Sequence, residues 1–220
     1  MLNGFFTLKF LIRFGENMAD QSMEETPSYK VIILGDTGVG KTSLANRQCN
    51  GKFTFQMTPT VGTAHLKTTI NIENRNVELK IWDTAGQEQF ASLVSMYARG
   101  ANACIIVGSF VDPGSIDNID VWAERLHNAG EDPPILIAIN KIDMQNGAPL
   151  TIEQIRDQIG SKYENLFFVS ARTGDGISEL FAGTAQEAIN HSKNQAAPNA
   201  VDIAQPSSPE KEKKSGGCCH

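Results

Sequence analysis

Between an apolar run, Lys30–Leu34, and a helix-forming stretch, Lys41–Asn50, the chain reads Gly35-Asp36-Thr37-Gly38-Val39-Gly40-Lys41-Thr42. This satisfies G-x-x-x-x-G-K-[ST], which average residue usage would produce by chance in a chain of this length about once in a hundred sequences. The pattern constrains the fold because its physics needs a strand on one side and a helix on the other. Glycines let the backbone wrap closely, so that successive N–H groups and a helix N-terminus converge on an anion. Lys41 then reaches the outer phosphates of a nucleoside triphosphate, and the Thr42 hydroxyl is placed to ligate Mg2+. Phosphate contacts are accordingly expected along the whole stretch of Asp36, Thr37, Gly38, Val39, Gly40, Lys41, Thr42 and Ser43.

The rest of the chain supplies the frame. Strands are predicted at Lys30–Leu34, His65–Ile72, Val77–Trp82, Ala103–Phe110, Ile135–Asn140 and Leu166–Ser170. Helices are predicted at Lys41–Asn50, Ser92–Tyr97, Ser115–Asn128, Ile152–Gly160 and Ile177–Asn190. Several strands are runs of branched apolar residues, as parallel strands covered on both faces require. Only Glu73-Asn74-Arg75-Asn76 separates the second and third runs, too few residues for a parallel crossover, so this pair is predicted to be an antiparallel hairpin at the sheet edge. The expected fold is α/β: a three-layer α/β/α P-loop domain with a six-stranded, mostly parallel sheet, one antiparallel edge strand and about five helices. Ligands in such a sheet sit at the carboxyl ends of the strands.

Composition divides the 220 residues into an N-terminal extension (1–28), this domain (29–191) and a tail (192–220) rich in Ala, Pro, Asn, Ser, Gly and Lys that reads as flexible. With 40% hydrophobic and 20% charged residues the chain is neither disordered throughout nor a disulfide-stapled miniature. A net charge of −6 offers no basic field for nucleic acid, so no nucleic acid partner is expected.

Two further motifs narrow the chemistry. Asn140-Lys141-Ile142-Asp143 follows the apolar strand, and an Asp there can accept two hydrogen bonds from the exocyclic amine and ring N–H of guanine. Adenine cannot offer that pair, and a carboxylate left unpaired penalises it. Ser170-Ala171-Arg172, after the last strand, is placed to add a backbone N–H toward the guanine oxygen. Asp83, at the end of the third strand in Trp82-Asp83-Thr84-Ala85-Gly86-Gln87-Glu88, suits the Mg2+ shell. Gly86 can give its N–H to the γ-phosphate, and Gln87 can orient an attacking water. Together these residues describe GTP and GDP binding with hydrolysis between them.

With these motifs the chain resembles a small Ras-like GTPase and, within that superfamily, the Rab family of membrane-traffic regulators. The likeness covers about residues 29–191 and the last residues. Its Rab-type signs are Lys80-Ile81-Trp82-Asp83-Thr84-Ala85-Gly86-Gln87-Glu88 and Met96-Tyr97-Ala98-Arg99-Gly100-Ala101. The resemblance implies a small G domain acting as a GTP-driven switch that recruits effectors to regulate vesicle trafficking. It implies that Thr60 ligates Mg2+ and senses the γ-phosphate, and that Gln87, Thr60 and Lys41 carry hydrolysis. Phe53 would pack against guanine, while His65, Trp82 and Tyr97 would form the effector surface. His65 departs from the family's usual Phe, Ala98 from Tyr, Gly108-Ser109 from Tyr-Asp and Arg172 from Lys. Thr60–Ala64 and Leu93–Tyr97 resemble the early-endosomal subgroup. Unaided hydrolysis in this superfamily is slow, on the order of 10⁻⁴ per second, and Thr37 beside the γ-phosphate agrees with that. Two alternatives are a nucleotide-binding membrane scaffold with negligible hydrolysis, and a P-loop kinase or ATPase.

The ending Ser215-Gly216-Gly217-Cys218-Cys219-His220 is not C-a-a-X but resembles the Rab double-cysteine terminus, implying geranylgeranyl groups on Cys218 and Cys219. Two lipids make a stable anchor where one is marginal. From His191 onward four lysines face three acids, a net +1 too small for a second electrostatic signal, so attachment rests on the lipids. The location implied is the cytoplasmic face of endomembranes with a cytosolic pool. Partners implied are an exchange factor, a GTPase-activating protein, a GDP-dissociation inhibitor and effectors, and the chain is expected to be a monomer. Lys9 interrupts the apolar start, which rules against a secretory signal; translation is expected to begin at Met18, the alternative being an amphipathic extension that touches a membrane.

Overall fold

The computed structural model describes residues 26–55, 60, 63–84, 93–146 and 148–196. Its order is β1 (Ser28–Leu34), α1 (Lys41–Asn50), β2 (Thr63–Ile72), β3 (Arg75–Thr84), α2 (Val94–Ala98), β4 (Ala103–Ser109), α3 (Pro113–Asp117), α4 (Ile119–Asn128), β5 (Ile135–Asn140), α5 (Ile152–Ile159), β6 (Leu166–Phe168) and α6 (Ile177–Ala196). The strands form one six-stranded sheet in the order β2-β3-β1-β4-β5-β6. Only β2 and β3 pair antiparallel, at the edge, as the short link demands.

That hairpin closes more tightly than the sequence suggests. Arg75 and Asn76 already pair with Ile72 and Asn71, leaving Glu73 and Asn74 as the whole turn. Both take positive φ, 49° and 64°, the left-handed pair whose twist matches that of the flanking strands.

Alternation along the inner strands divides the core between the two faces of the sheet. Val31 and Ile33 of β1 pack with Leu44 of α1 and with Leu180, Phe181 and Ala185 of α6. Ile32 and Leu34 face Ile116, Ile119, Trp122 and Leu126 on α3 and α4, with Ile155 of α5 nearby. Each such aliphatic side chain contributes roughly 1.5–3 kcal/mol on leaving water, so both helical layers are held firmly and the loops between them are positioned.

Several boundaries differ from expectation: β3 extends by two residues at each end, to Arg75 and Thr84, and β6 stops at Phe168 rather than Ser170. The helix predicted over Ser115–Asn128 begins two residues earlier at Pro113 and is divided at Asn118 into α3 and α4. Pro113 suits a first helical turn because its missing N–H would have no partner there. The last helix runs on to Ala196, so residues 192–196, expected in the flexible tail, are helical. The first proline after its start is Pro198, and nothing earlier removes a backbone donor.

Candidate nucleotide site

The loop between β1 and α1 needs glycine at two places for different reasons. Gly35 has φ +134°, and a Cβ on it would lie 2.3 Å from the Val107 carbonyl oxygen. Gly40, the residue capping α1, has φ +102°, and its Cβ would meet Asn140 Nδ2 at 2.4 Å. The loop therefore lies against both β4 and the residue that ends β5.

Lys41 is buried at the start of α1, where Nζ donates to the carbonyls of Gly35 and Asp36, each at 2.8 Å. Burial pushes its pKa down to about 8, opposed by the carboxylates of Asp83 and Asp36. The Thr42 and Thr60 hydroxyl oxygens lie 2.7 Å apart, which brings the loop after α1 onto the phosphate loop. Asp83 is fully buried at the end of β3, and neither carboxylate oxygen has a hydrogen-bond partner among the described residues. Burial raises its pKa, with the nearby Thr42 hydroxyl and Lys41 ammonium pulling the other way. A buried carboxylate without partners is costly, and beside two hydroxyls it suits a hard divalent cation.

At the other end Asn140 joins three loops. Its Nδ2 donates to Val39 O at 2.9 Å, and its Oδ1 accepts from Ala171 N at 3.1 Å. Lys141 adopts φ +70° and donates to Gly38 O at 2.7 Å. Burial lowers its pKa, with Asp112 and Asp143 opposing. Asp143 Oδ1 accepts from Ser170 Oγ at 2.7 Å, while Arg172 Nη1 lies 3.6 Å from Oδ2. Arg47, on α1, secures the loop after β6: Nε donates to Ala171 O at 2.8 Å and Nη2 to Arg172 O.

These ends bound one cavity of about 550 Å³. Thr37, Gly38, Gly40, Lys41, Thr42, Ser43, Phe53, Thr60, Asn140, Lys141, Asp143, Ala171 and Arg172 line it, so most residues expected from sequence converge. Four do not line it. Val39 puts its side chain into the core, and its carbonyl accepts from Asn140. The Asp36 carboxylate bonds Asn118 and Trp122 on the helical layer. Ser170 is buried behind Asp143, and Asp83 lies beneath Lys41 and Thr42. The Ala171 N–H, expected to meet a guanine oxygen, is engaged by Asn140. Gly86, Gln87, Cys218 and Cys219 lie outside the described residues.

Sequence reasoning missed Thr54, Phe55, Thr84 and Met144 on the wall, and Arg47 behind it. Phe55 stands two residues beyond Phe53 and packs edge-on against it at 5.2 Å, with the Arg172 guanidinium 5.3 Å from its ring. A second aromatic so close in sequence was the available signal. Arg47 carried none, since the site residues it bonds are more than 120 residues away.

The expected effector surface is only partly present. His65 and Trp82 are opposite each other on β2 and β3, their rings 4.0 Å apart, with Lys30 Nζ 4.1 Å from the indole. Tyr97 is 4% exposed, so it packs in the core and presents no surface. The Gly108 departure has a packing reason: a Cβ there would come within 3.2 Å of Ile139 and 3.4 Å of Ile119.

A model of the Ras family matches residues 30–190. Ras-related protein Rab-7b of Paramecium octaurelia is 37% identical over 199 residues, covering 87% of this chain and 96% of that protein. Ras-related protein Rab7 of Pisum sativum is 36% identical over 199 residues, 86% and 95% of the two chains. The chain belongs to the Rab family of small GTPases. As a Rab it binds guanine nucleotide, hydrolyses GTP and regulates vesicle trafficking. These relatives are Rab7 proteins, which corrects the likeness to the early-endosomal subgroup. The two segments behind that likeness, Thr60–Ala64 and Leu93–Tyr97, are five residues each, short beside alignments of 199. This Rab also resembles GTP-binding protein YPTC5 of Chlamydomonas reinhardtii, 35% identical over 200 residues, 86% and 96% of the two chains.

Proposed function

We propose that this Rab holds GTP or GDP in the cavity between Lys41 and Asp143 and performs its switch there. The observation that carries the assignment is one cavity with a buried lysine and glycine turns at one end and the Asp143 carboxylate at the other. Lys41 and the loop amides take the phosphates. Asp143, steadied by Ser170, reads the guanine edge, and Phe53 packs on the base. Lys141, through its bond to Gly38 O, ties the base motif to the phosphate loop.

Thr42, Thr60 and Asp83 are the residues that would hold Mg2+, and their chemistry fits it: two hydroxyls in contact and a buried carboxylate in need of a counter-charge. The cation, when bound, neutralises charge developing on the phosphates. Among the described residues no three His, Cys, Asp or Glu side chains gather, so nucleotide oxygens complete that shell. Gln87 orients the attacking water. Thr60 and Gly86 would be held by the γ-phosphate and released after hydrolysis. A scaffold without turnover is not favoured, because the relatives are GTPases.

Regulators and effectors meet the face around His65 and Trp82. Membrane attachment is through geranylgeranyl groups on Cys218 and Cys219, at the cytoplasmic face of Rab7-type endomembranes, with a cytosolic, monomeric pool. No helix among the described residues is long and apolar enough to cross a membrane, which accords with a lipid anchor. Calorimetry of the full chain with GDP and ADP, each with and without Mg2+, tests the site. Mg2+-linked binding of GDP alone is expected, and equal binding of ADP would overturn the assignment. Mass spectrometry of membrane-bound protein is expected to find both thiols lipidated.

A further inference from the structure

The phosphate-loop motif does not specify the residue after its first glycine, yet here that residue, Asp36, is held by two side-chain hydrogen bonds. Its Oδ1 accepts from Trp122 Nε1 at 2.7 Å and its Oδ2 from Asn118 Nδ2 at 2.7 Å. The two donors are four residues apart, one helical turn, and the turn is closed by the Trp122 N–H donating to Asn118 O at 3.1 Å. Both therefore face the same carboxylate as a two-pronged donor. Trp122 is only 3% exposed, and the Arg125 guanidinium lies 4.7 Å from its ring. The indole has no freedom to follow a moving loop; the loop is held to it.

What the loop gains is control of Lys41. The carbonyl of Asp36 itself accepts from Lys41 Nζ at 2.8 Å. One residue thus has its side chain anchored to α4 and its main chain bonded to the ammonium that meets the phosphates. Gly35 and Gly38, on either side, both have positive φ, at 134° and 81°, and contribute no stiffness of their own.

We propose that Asn118 and Trp122 are positioning residues for nucleotide binding, acting through the Asp36 carboxylate to fix the phosphate loop and the Lys41 ammonium. The inference rests on the phosphate site proposed above. It assigns to Asp36 a role on the helix side of the loop and none in direct contact with the nucleotide, where its charge would repel phosphate.

The test is release of fluorescently labelled GDP from the full chain in Mg2+. Asp36→Ala and Asn118→Asp, the latter facing two carboxylates, are each expected to speed release about tenfold or more, the factor carried by one charge-assisted hydrogen bond. Asp36→Asn combined with Asn118→Asp exchanges donor and acceptor between the positions and keeps an oxygen for Trp122. Release from that pair is expected to return within about threefold of wild type. Ile119→Val, which trims the core on the same helix, is expected to leave release unchanged. A second readout is the emission of Trp122 after Trp82→Phe, which leaves a single indole in the chain. Removing GDP should shift that emission, and Asp36→Ala should abolish the shift. Absence of rescue by the exchanged pair, or equally fast release from Ile119→Val, would overturn the positioning role. A wild-type chain that fails to hold GDP would instead overturn the site, whereas one that holds it no better than Asp36→Ala sinks only the anchor.

Discussion

Replacing Asn140 by Ala is the most informative perturbation of the site. Asn140 is 2% exposed and makes two bonds that nothing else replaces: Nδ2 to Val39 O and Oδ1 from Ala171 N. Truncation leaves a buried carbonyl and a buried N–H without partners, each worth about 1–3 kcal/mol in desolvation. If both stayed dry the loss would approach about 6 kcal/mol, but the cavity is open to solvent and a water in place of the amide reduces it. A loss of at least about 2 kcal/mol is expected in urea unfolding of the GDP-loaded protein, equivalent to roughly thirtyfold in an equilibrium constant. Release of labelled GDP should accelerate in the same variant, because the three loops Asn140 joins carry both ends of the cavity. Gly40 supplies an internal control. A Cβ there meets Asn140 Nδ2 at 2.4 Å, so Gly40→Ala is strained by contact as well as by its φ of +102°. The double variant removes the contact and should be less destabilised than the sum of the singles. Loaded Asn140→Ala within about 0.5 kcal/mol of wild type, with unchanged GDP release, would refute the view that this side chain holds the site together.

Three other outcomes follow from the same geometry. Lys41 in the free site loses its proton near pH 8 because burial disfavours the charge, and bound phosphates restore it; GDP affinity should be flat below that pH and fall by up to about tenfold per unit above it. Calorimetry at pH 9 in buffers of differing ionisation heat should find proton uptake on binding, and proton release would contradict it. Chelating Mg2+ should speed GDP release from wild type and have much less effect on Asp83→Asn, since the buried carboxylate that would hold the cation is already gone. Tyr163→Phe deletes the bond from the phenol to Asp120 Oδ1, 2.8 Å, and should cost about 0.5–1.5 kcal/mol in urea unfolding at pH 7. Hydrogen bonds from Lys162 and Tyr163 hold the Asp120 carboxyl below its ordinary pKa. Its contribution is therefore present above the unfolded carboxylate pKa of about 4 and is lost as pH falls through the lower folded value, so the difference between wild type and variant should narrow as pH falls through that value.

What was legible in the sequence, and what was not, divides along range of interaction. The phosphate loop, the strand order of the hairpin and the base motif are read from neighbours in sequence, because glycine's φ, strand periodicity and a short link act over a few residues. Tyr97 shows where that stops. The family resemblance implied a surface position, but the side chain is buried, and only the assembled fold decides that. Arg47 was invisible for the same reason, the site residues it bonds lying 124 and 125 residues along the chain. Asp36 is the instructive middle case. Spacing placed it in a loop that binds phosphates and so suggested a contact with them, whereas its charge argued against one, since a carboxylate aimed at a polyphosphate repels it. Weighing charge beside spacing would have predicted a side chain turned outward in search of donors. The donors themselves, 82 and 86 residues away on a helix interrupted at Asn118, come only with the fold. The motif thus fixes the main-chain shape that meets a ligand, and the rest of the chain determines how rigidly that shape is held.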